Sequence, residues 1–126
     1  MIKAHKKLKV WQEAMILTKL IYQITEKLPK EEKFGLKIQM RRCAVSIPSN
    51  IAEGAARQGG KESIQFFTIA RGSLSELDTQ VELCKVLKLL TTFDISLLAS
   101  HIETVDSLLS GFIRFRKKQL SNTGEM

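Results

Sequence analysis

The stretch that decides the fold runs Arg41-Arg42-Cys43-Ala44-Val45-Ser46-Ile47-Pro48-Ser49-Asn50-Ile51-Ala52-Glu53-Gly54. Its apolar residues recur at helical spacing on both sides of Pro48, and the apolar stripe keeps its phase across the proline. A proline inside a helix removes one backbone hydrogen bond and costs roughly 3 kcal/mol. We therefore predict one helix kinked at Pro48, in which Ser46 and Ser49 hydrogen-bond the freed backbone groups. The alternative is two shorter helices, the second capped by Ser46.

Helical periodicity marks four segments of the chain, and no segment shows a useful strand-like alternation. The predicted helices cover about 6–28, 32–58, 61–89 and 92–119. Pro29 ends the first helix, Gly59-Gly60 ends the second with a left-handed residue, and Thr91 with Asp94 caps the fourth. Short connections between long helices favour antiparallel neighbours. The sequence therefore predicts an all-α fold, a single domain over 1–126, which is an antiparallel up-down-up-down four-helix bundle with a proline-kinked second helix.

The composition indicates a basic chain that does not need disulfide bonds to fold. It has 126 residues, a net charge of +7 and two cysteines, and thirteen of its twenty Lys and Arg lie within residues 1–61 beside five Glu. Cys43 and Cys84 stand alone and are predicted to be buried thiols in a reducing compartment. No run of 18 apolar residues is present, so we predict no membrane partner and a cytoplasmic location.

The helices carry more apolar surface than one bundle core needs. One interpretation is a thick core with a few exposed apolar side chains, which is normal for a monomer. The other is a subunit interface in a homo-oligomer. The surplus positions are Trp11, Met15, Phe66, Leu97, Leu108 and Phe115.

Catalytic and metal-binding patterns are missing from the sequence. Neither His5 nor His101 follows a glutamate by three residues, as a di-iron bundle requires, and zinc has no ligand set. Gly59-Gly60-Lys61 lacks the strand and spacing of a phosphate loop. We predict no enzyme activity, no metal and no cofactor. The aromatic residues mostly occupy core-type positions, which argues against a stacking platform for single strands.

Three basic clusters are the candidate nucleic-acid contacts. The first and last clusters have an ordinary explanation, as solvated lysines and as cations at a helix C-terminus. In the middle cluster an arginine is expected near the apolar face, where it needs a carboxylate, for which Glu53 or an acid on another helix or subunit would serve. Arg41 and Arg42 are then either structural or phosphate-contacting. The candidates are Lys6, Lys7 and Lys9, then Arg41, Arg42, Arg57 and Lys61, then Arg114, Lys117 and Lys118.

Several segments together resemble the bacterial four-helix-bundle proteins encoded in intervening sequences of 23S rRNA genes. They are Leu8-Lys9-Val10-Trp11, Gln39-Met40-Arg41-Arg42, Ser46 to Gly54 with its Pro48, Asn50, Glu53 and Gly54, and Phe66 to Leu74. The resemblance implies a ring-like homopentamer with a nucleic-acid role and no catalytic residues. Its relatives include accessory proteins that bind a reverse transcriptase and its RNA.

Two functions follow as hypotheses. The first is a non-enzymatic basic oligomer that binds RNA or other nucleic acid through phosphate contacts, with a salt-dependent affinity. The alternative is a protein–protein interaction scaffold or accessory subunit that makes no direct nucleic-acid contact.

Overall fold

Four helices make up nearly all of the computed structural model, which describes residues 3–123. They are α1 (Lys9–Thr25), α2 (Leu36–Ala56), α3 (Gly60–Val86) and α4 (Thr92–Thr123). Short 3₁₀ turns at Ala4–Lys7 and Lys30–Glu32 precede α1 and α2. Within 3–123 there is no strand, so the predicted all-α class is confirmed.

The helix ends differ from the predicted ones in three ways, one of which is that α3 ends at Val86 rather than near 89. The first two helices are shorter at both ends, because the chain becomes extended at Leu8 and again at Pro29 and breaks into the 3₁₀ turns. The fourth helix is longer and continues to Thr123 rather than ending near 119. Because of that extension, Arg114, Lys117 and Lys118 lie before the last turn of α4 rather than in it.

Each helix packs against the one before it, and α4 also packs against α1. Phe67 of α3 meets Phe112 of α4 edge to face, with ring centroids 5.0 Å apart. Leu17, Ile47, Leu74 and Leu109 lie with them in one continuous core of buried apolar side chains. The periodic positions in the sequence are therefore the positions that the bundle buries.

Contacts between neighbouring helices agree with the up-down-up-down order. Early residues of one helix face late residues of the next, as where Met40 Sδ of α2 lies 3.8 Å from Cys84 Sγ of α3. The same relation joins the end of α1 to the start of α4, where Lys27 Nζ lies 2.9 Å from Asp94 Oδ2. The Asp94 backbone N–H also donates to Thr91 Oγ1 at 3.1 Å, so the predicted cap of α4 is present.

Pro48 lies inside one continuous α2, so the two-helix alternative is wrong. Proline has no N–H, which leaves the Ala44 carbonyl without its partner in the helix. The Thr18 hydroxyl of α1 lies 3.1 Å from this oxygen and 2.8 Å from the Ala14 carbonyl oxygen, and its one proton serves the two acceptors. Ser49 Oγ donates to the Val45 carbonyl at 2.8 Å, as predicted.

Ser46, the other serine predicted to bond the backbone groups freed by Pro48, has different partners. Ser46 Oγ pairs with the Ser73 hydroxyl of α3 and receives a 3.0 Å hydrogen bond from Asn50 Nδ2, which also donates to the Ser46 carbonyl at 2.8 Å. Sequence reasoning could not find the Thr18 contact, because it depends on how α1 and α2 meet.

Gly54 allows α2 and α3 to approach closely. A Cβ at this position would lie 2.5 Å from the ring of the buried Phe67. The hydroxyl of the buried Ser63 donates to the Gly54 carbonyl at 2.6 Å and so satisfies one free acceptor at the end of α2. Gly54 is thus a packing residue of the motif, as Asn50 is a hydrogen-bonding one.

The connection between α2 and α3 corrects one prediction. Gly59 has φ −78° and precedes α3 as an extended residue, so it is not a left-handed terminator of α2. The one non-glycine residue with positive φ in the described chain is Lys88, at 58°, just past the end of α3. Leu89 N–H donates to the Cys84 carbonyl at 2.9 Å and Lys88 N–H to Lys85 at 3.1 Å, which is a Schellman motif.

Both cysteines are free and buried, as predicted. Burial, with the Glu76 carboxylate as a second cause, raises the pKa of the Cys43 thiol to about 12. Cys43 Sγ donates to the Ser73 carbonyl at 2.8 Å. Burial also raises the pKa of Cys84, whose sulfur lies 3.8 Å from Met40 Sδ. These thiols are packing groups rather than nucleophiles.

The predicted apolar surplus is divided. Of its six residues, Trp11, Leu97 and Leu108 pack against the core and Phe66 is half-buried, while Met15 and Phe115 are exposed. Other large apolar side chains are more exposed than any of these, and the sequence pattern did not single them out. The most exposed are Phe34, Phe93 and Val86, at 80%, 74% and 67%.

Candidate nucleic-acid interface

Arg41 is held by α1. Its Nε donates to the buried Thr25 hydroxyl at 3.0 Å, and one terminal nitrogen donates to the Tyr22 carbonyl at 3.0 Å and to Glu26 Oε2 at 2.8 Å. Tyr22 also places its ring 4.6 Å from the guanidinium carbon. Tyr22 lies among the last residues of α1, where a cation is favourable and carbonyls need donors. Arg41 therefore ties α2 to the end of α1.

The partner of Arg41 is Glu26 at the end of α1, so Glu53 was the wrong candidate and the alternative of an acid on another helix is confirmed. Glu53 lies twelve residues further along the same continuous helix, which is about 18 Å at 1.5 Å per residue. Hydrogen bonds from Arg41 and then from Lys37, whose Nζ is 3.3 Å from the carboxylate, lower the pKa of Glu26. Glu53 instead pairs with Arg57 at 2.9 Å, one turn away.

Arg57 and Lys9 also have carboxylate partners. Arg57 is the residue that ends α2, and it lies 3.6 Å from Glu62 Oε1 as well as near Glu53. Its guanidinium carbon is 4.8 Å from the centre of the Phe66 ring. Lys9 Nζ is 3.1 Å from Glu13 Oε1. These two cations are largely neutralised by neighbours.

Arg42 follows Arg41 but points into solvent. It is exposed, lines surface grooves beside Cys43 and beside Val45, and has no carboxylate partner within residues 3–123. Its position in the middle of α2 separates it from the remaining candidates. The arginine pair is thus divided into one structural and one exposed residue.

The remaining candidates meet at one end of the bundle. The N-terminal 3₁₀ turn packs on α2, and a Cβ on Gly60, at the start of α3, would collide with Leu120 near the end of α4. Lys9 lines a groove with Ser107 and Leu108 of α4. This end, called the basic end below, carries Lys3, Lys6, Lys7, Lys9, Arg57, Lys61, Arg114, Arg116, Lys117 and Lys118.

Carboxylates are scarce at the basic end. Glu13, Glu53 and Glu62 are each paired there with Lys9 or Arg57, and Glu103 lines the groove that holds Lys9. The other cations of the basic end form no ion pair with a described carboxylate. They are Lys3, Lys6, Lys7, Lys61, Arg114, Arg116, Lys117 and Lys118.

The ordinary explanation for the C-terminal cluster fails on geometry. Cations gain from the helix dipole within the last turn, but α4 continues to Thr123 and has no basic residue in its last turn. Arg114, Lys117 and Lys118 are exposed on the helix body instead. Their charge remains available to a ligand.

Arg116 is a member that the sequence analysis missed. Its guanidinium carbon lies 5.6 Å from the centre of the Phe112 ring, and its Nε is buried with no hydrogen-bond partner among the described residues. Arg116 follows Phe112 by four residues, and side chains at this spacing meet on a helix, so the sequence could have indicated this contact.

The opposite end, called the apolar end below, exposes Phe34, Val86, Leu87 and Phe93. These side chains lie in or beside the connections between α1 and α2 and between α3 and α4. Cations only slightly outnumber carboxylates here, with lysines at 27, 30, 33, 37, 85 and 88 and Arg41 beside carboxylates at 26, 31, 32, 82 and 94.

Two further features of the described chain concern membranes and metal ions. No helix within 3–123 is long and apolar enough to cross a bilayer. Among the same residues, no three His, Cys, Asp or Glu side chains are grouped so that they could hold a metal ion.

Comparison with known proteins identifies the family. No curated protein matches this chain. A family model described as 23S rRNA-intervening sequence protein matches residues 6–111, from the N-terminal 3₁₀ turn to the middle of α4. The Trp11 region, the Pro48 motif, the close α2–α3 contact and half of the ten cations of the basic end lie within that match. The chain therefore belongs to the 23S rRNA-intervening sequence protein family.

Proposed function

We propose that this protein is a non-enzymatic RNA-binding protein whose basic end contacts the phosphates of the strand. The observation that carries the proposal is the group of cations at that end without a carboxylate partner. Phosphate contacts supply most of the sequence-independent affinity of nucleic-acid-binding proteins, and Lys and Arg make them. Arg41 and Arg57 are excluded from this role because other groups of the protein occupy them.

The salt dependence of binding tests the proposal. Fluorescence anisotropy with a labelled single-stranded RNA at 50–200 mM salt measures the slope of log affinity against log salt. Each neutralised phosphate contributes about −0.7 to this slope for a single strand. Four contacts would give a slope near −3. An affinity that does not change with salt, or no binding at 50 mM, contradicts the proposal.

We also propose that copies of the chain associate into a homo-oligomer in the cytoplasm, with the pentamer that the resemblance implies as the expected state. Exposed apolar side chains such as Ile69 and Phe115 support association, because monomers rarely leave many such groups in water. An oligomer would multiply the charge of each basic end. Sedimentation velocity at micromolar concentration is expected to show an assembly, and a single-copy particle contradicts this part of the proposal.

A second function, an interaction scaffold or accessory subunit, is favoured by the apolar end. Phe34, in the connection between α1 and α2, and Phe93, at the start of α4, are about three-quarters exposed, and a partner protein would bury them. Capture from a nuclease-treated lysate compares the two functions. Partners that survive nuclease and are lost in Phe34→Ser with Phe93→Ser favour the scaffold, and partners lost with nuclease favour RNA binding.

A further inference from the structure

A groove with aromatic walls lies beside the lysines of the N-terminal 3₁₀ turn. It is formed where the turn covers α1 and α2, has a volume of about 380 Å³, and is lined by His5, Trp11, Met15, Val45, Pro48 and Ala52 among others. No Asp or Glu of residues 3–123 lines it. Its volume lies near the lower limit of about 300–1,000 Å³ for small-molecule sites, which suits one flat group rather than a large ligand.

The aromatic wall is held in place by packing. His5 and Trp11 meet edge to face, with centroids 5.1 Å apart and planes 68° apart. Trp11 packs against the core, and Gln12 Nε2 donates to the Lys6 carbonyl at 2.9 Å, which fastens the turn to α1. A fixed ring pair loses little conformational entropy on binding. Pro48 of α2 also lines the groove.

Charge next to the groove selects the type of occupant. Lys6 and Lys7 follow His5 in the same turn, are exposed, and form no ion pair with a described carboxylate. An apolar aromatic surface flanked by cations is what single-stranded nucleic acid requires, since bases stack on rings while phosphates contact Lys and Arg. Duplex bases are already stacked and would not enter.

We propose that the groove holds one unpaired base of a bound RNA, against Trp11 and His5, while Lys6 and Lys7 contact the adjoining phosphates. This inference rests on the proposed function and adds to it a preference for single-stranded regions. It also modifies the expectation from sequence that no aromatic platform exists. Phe67 and Phe112 are core residues, but Trp11 and His5 face a surface groove.

Trp11 is the single tryptophan of the chain and reports directly on the groove. A ten-nucleotide adenylate RNA is expected to quench its emission at saturation. Inorganic polyphosphate, which has charge and no bases, is expected to compete for the basic end and leave the emission unchanged. Unchanged emission while this RNA is bound overturns the inference but leaves phosphate binding standing. If this RNA does not bind at all, both proposals fail.

Two adjacent residues on α1 provide a matched pair of variants. Met15 lines the groove and Ile16 does not, and both side chains are 45% exposed. Met15→Glu is expected to weaken binding of the adenylate RNA about tenfold relative to Ile16→Glu, within the 1–3 kcal/mol range for one stacked base. Polyphosphate binding should be equal in the two variants, because they have the same charge.

Equal affinity of Met15→Glu and Ile16→Glu for the adenylate RNA overturns the inference. It is also overturned if Trp11 emission changes with protein concentration and not with RNA, since the groove would then be filled by a second copy. Circular dichroism of each variant confirms that the bundle is intact before the affinities are compared.

Discussion

The two ends of the bundle carry different surfaces although their sequences look alike. Lysine-rich stretches occur both at 3–9 and at 27–37. At the basic end most cations lack carboxylate partners, whereas at the apolar end lysines and carboxylates nearly balance around Phe34 and Phe93. The difference comes from topology, because antiparallel helices bring distant clusters to one end. It teaches that the local ratio of cations to carboxylates, rather than the presence of lysines, distinguishes the two ends, because Lys30, Lys33, Lys85 and Lys88 also form no ion pair with a described carboxylate.

The largest expected effect is the loss of RNA affinity when the basic end is neutralised. Removing four phosphate contacts from a single strand should weaken binding on the order of 100-fold at 0.15 M salt, given a slope of about 0.7 per contact. The free energy of unfolding should change little, because the side chains are exposed. Anisotropy titrations measure the loss for Lys61→Gln, Arg114→Gln, Lys117→Gln and Lys118→Gln combined.

The matched control neutralises four lysines near the apolar end, Lys30→Gln, Lys33→Gln, Lys85→Gln and Lys88→Gln. The same loss of net charge should here reduce affinity severalfold at most. If both quadruple variants lose affinity equally, net charge and not the basic end determines binding, and the distinction between the two ends fails.

The second effect concerns Arg41, the cation that holds α2 to α1. Arg41→Ala removes donors from the buried Thr25 hydroxyl and from the Tyr22 carbonyl, so it should reduce the free energy of unfolding by about 2 kcal/mol. Arg42→Ala, at an exposed neighbour, should stay within about 0.5 kcal/mol. Urea unfolding compares them. RNA affinity per folded molecule should be unchanged in Arg41→Ala, and a large loss would reassign this arginine to the interface.

The sequence predicts the features that depend on residues close together along the chain, and it does not predict contacts between separate helices. Period 3.6 identified four helices and their buried faces, and Thr91 was found as a cap, because these features depend on residues within one or two turns. The Glu26–Arg41 pair and the Thr18–Ala44 contact join different helices, and no spacing along the chain encodes them. The basic end likewise depends on the tertiary structure, because three separate segments of the chain form it.

A third, smaller effect tests the bond that compensates for Pro48. Thr18→Val leaves the Ala44 carbonyl without a donor and should cost about 1 kcal/mol of unfolding free energy. In a Pro48→Ala background the residue at 48 regains an N–H for that carbonyl, so the cost of Thr18→Val should fall. A double-mutant cycle by urea unfolding measures the difference. Equal costs in both backgrounds would show that Thr18 does not serve the freed carbonyl.

The smallest expected effect is a gain in stability near the apolar end. Lys88 holds a φ of 58°, a conformation that glycine adopts without the penalty of a Cβ. Lys88→Gly should raise the free energy of unfolding by about 0.5 kcal/mol, whereas Lys85→Gly, inside α3, should lower it by a similar amount or more. Thermal melts resolve the sign, and a lower melting temperature for Lys88→Gly contradicts the assignment of this cap.

Lysine footprinting tests most directly whether the basic end is the RNA-binding surface. The protein, alone and bound to single-stranded RNA, is treated with an amine-acetylating reagent, and the modified sites are measured by mass spectrometry. Protection is expected at Lys6, Lys7, Lys61, Lys117 and Lys118, while Lys30, Lys33, Lys85 and Lys88 react as in the free protein. Protection at the apolar end instead, or equal protection at both ends, would contradict the account.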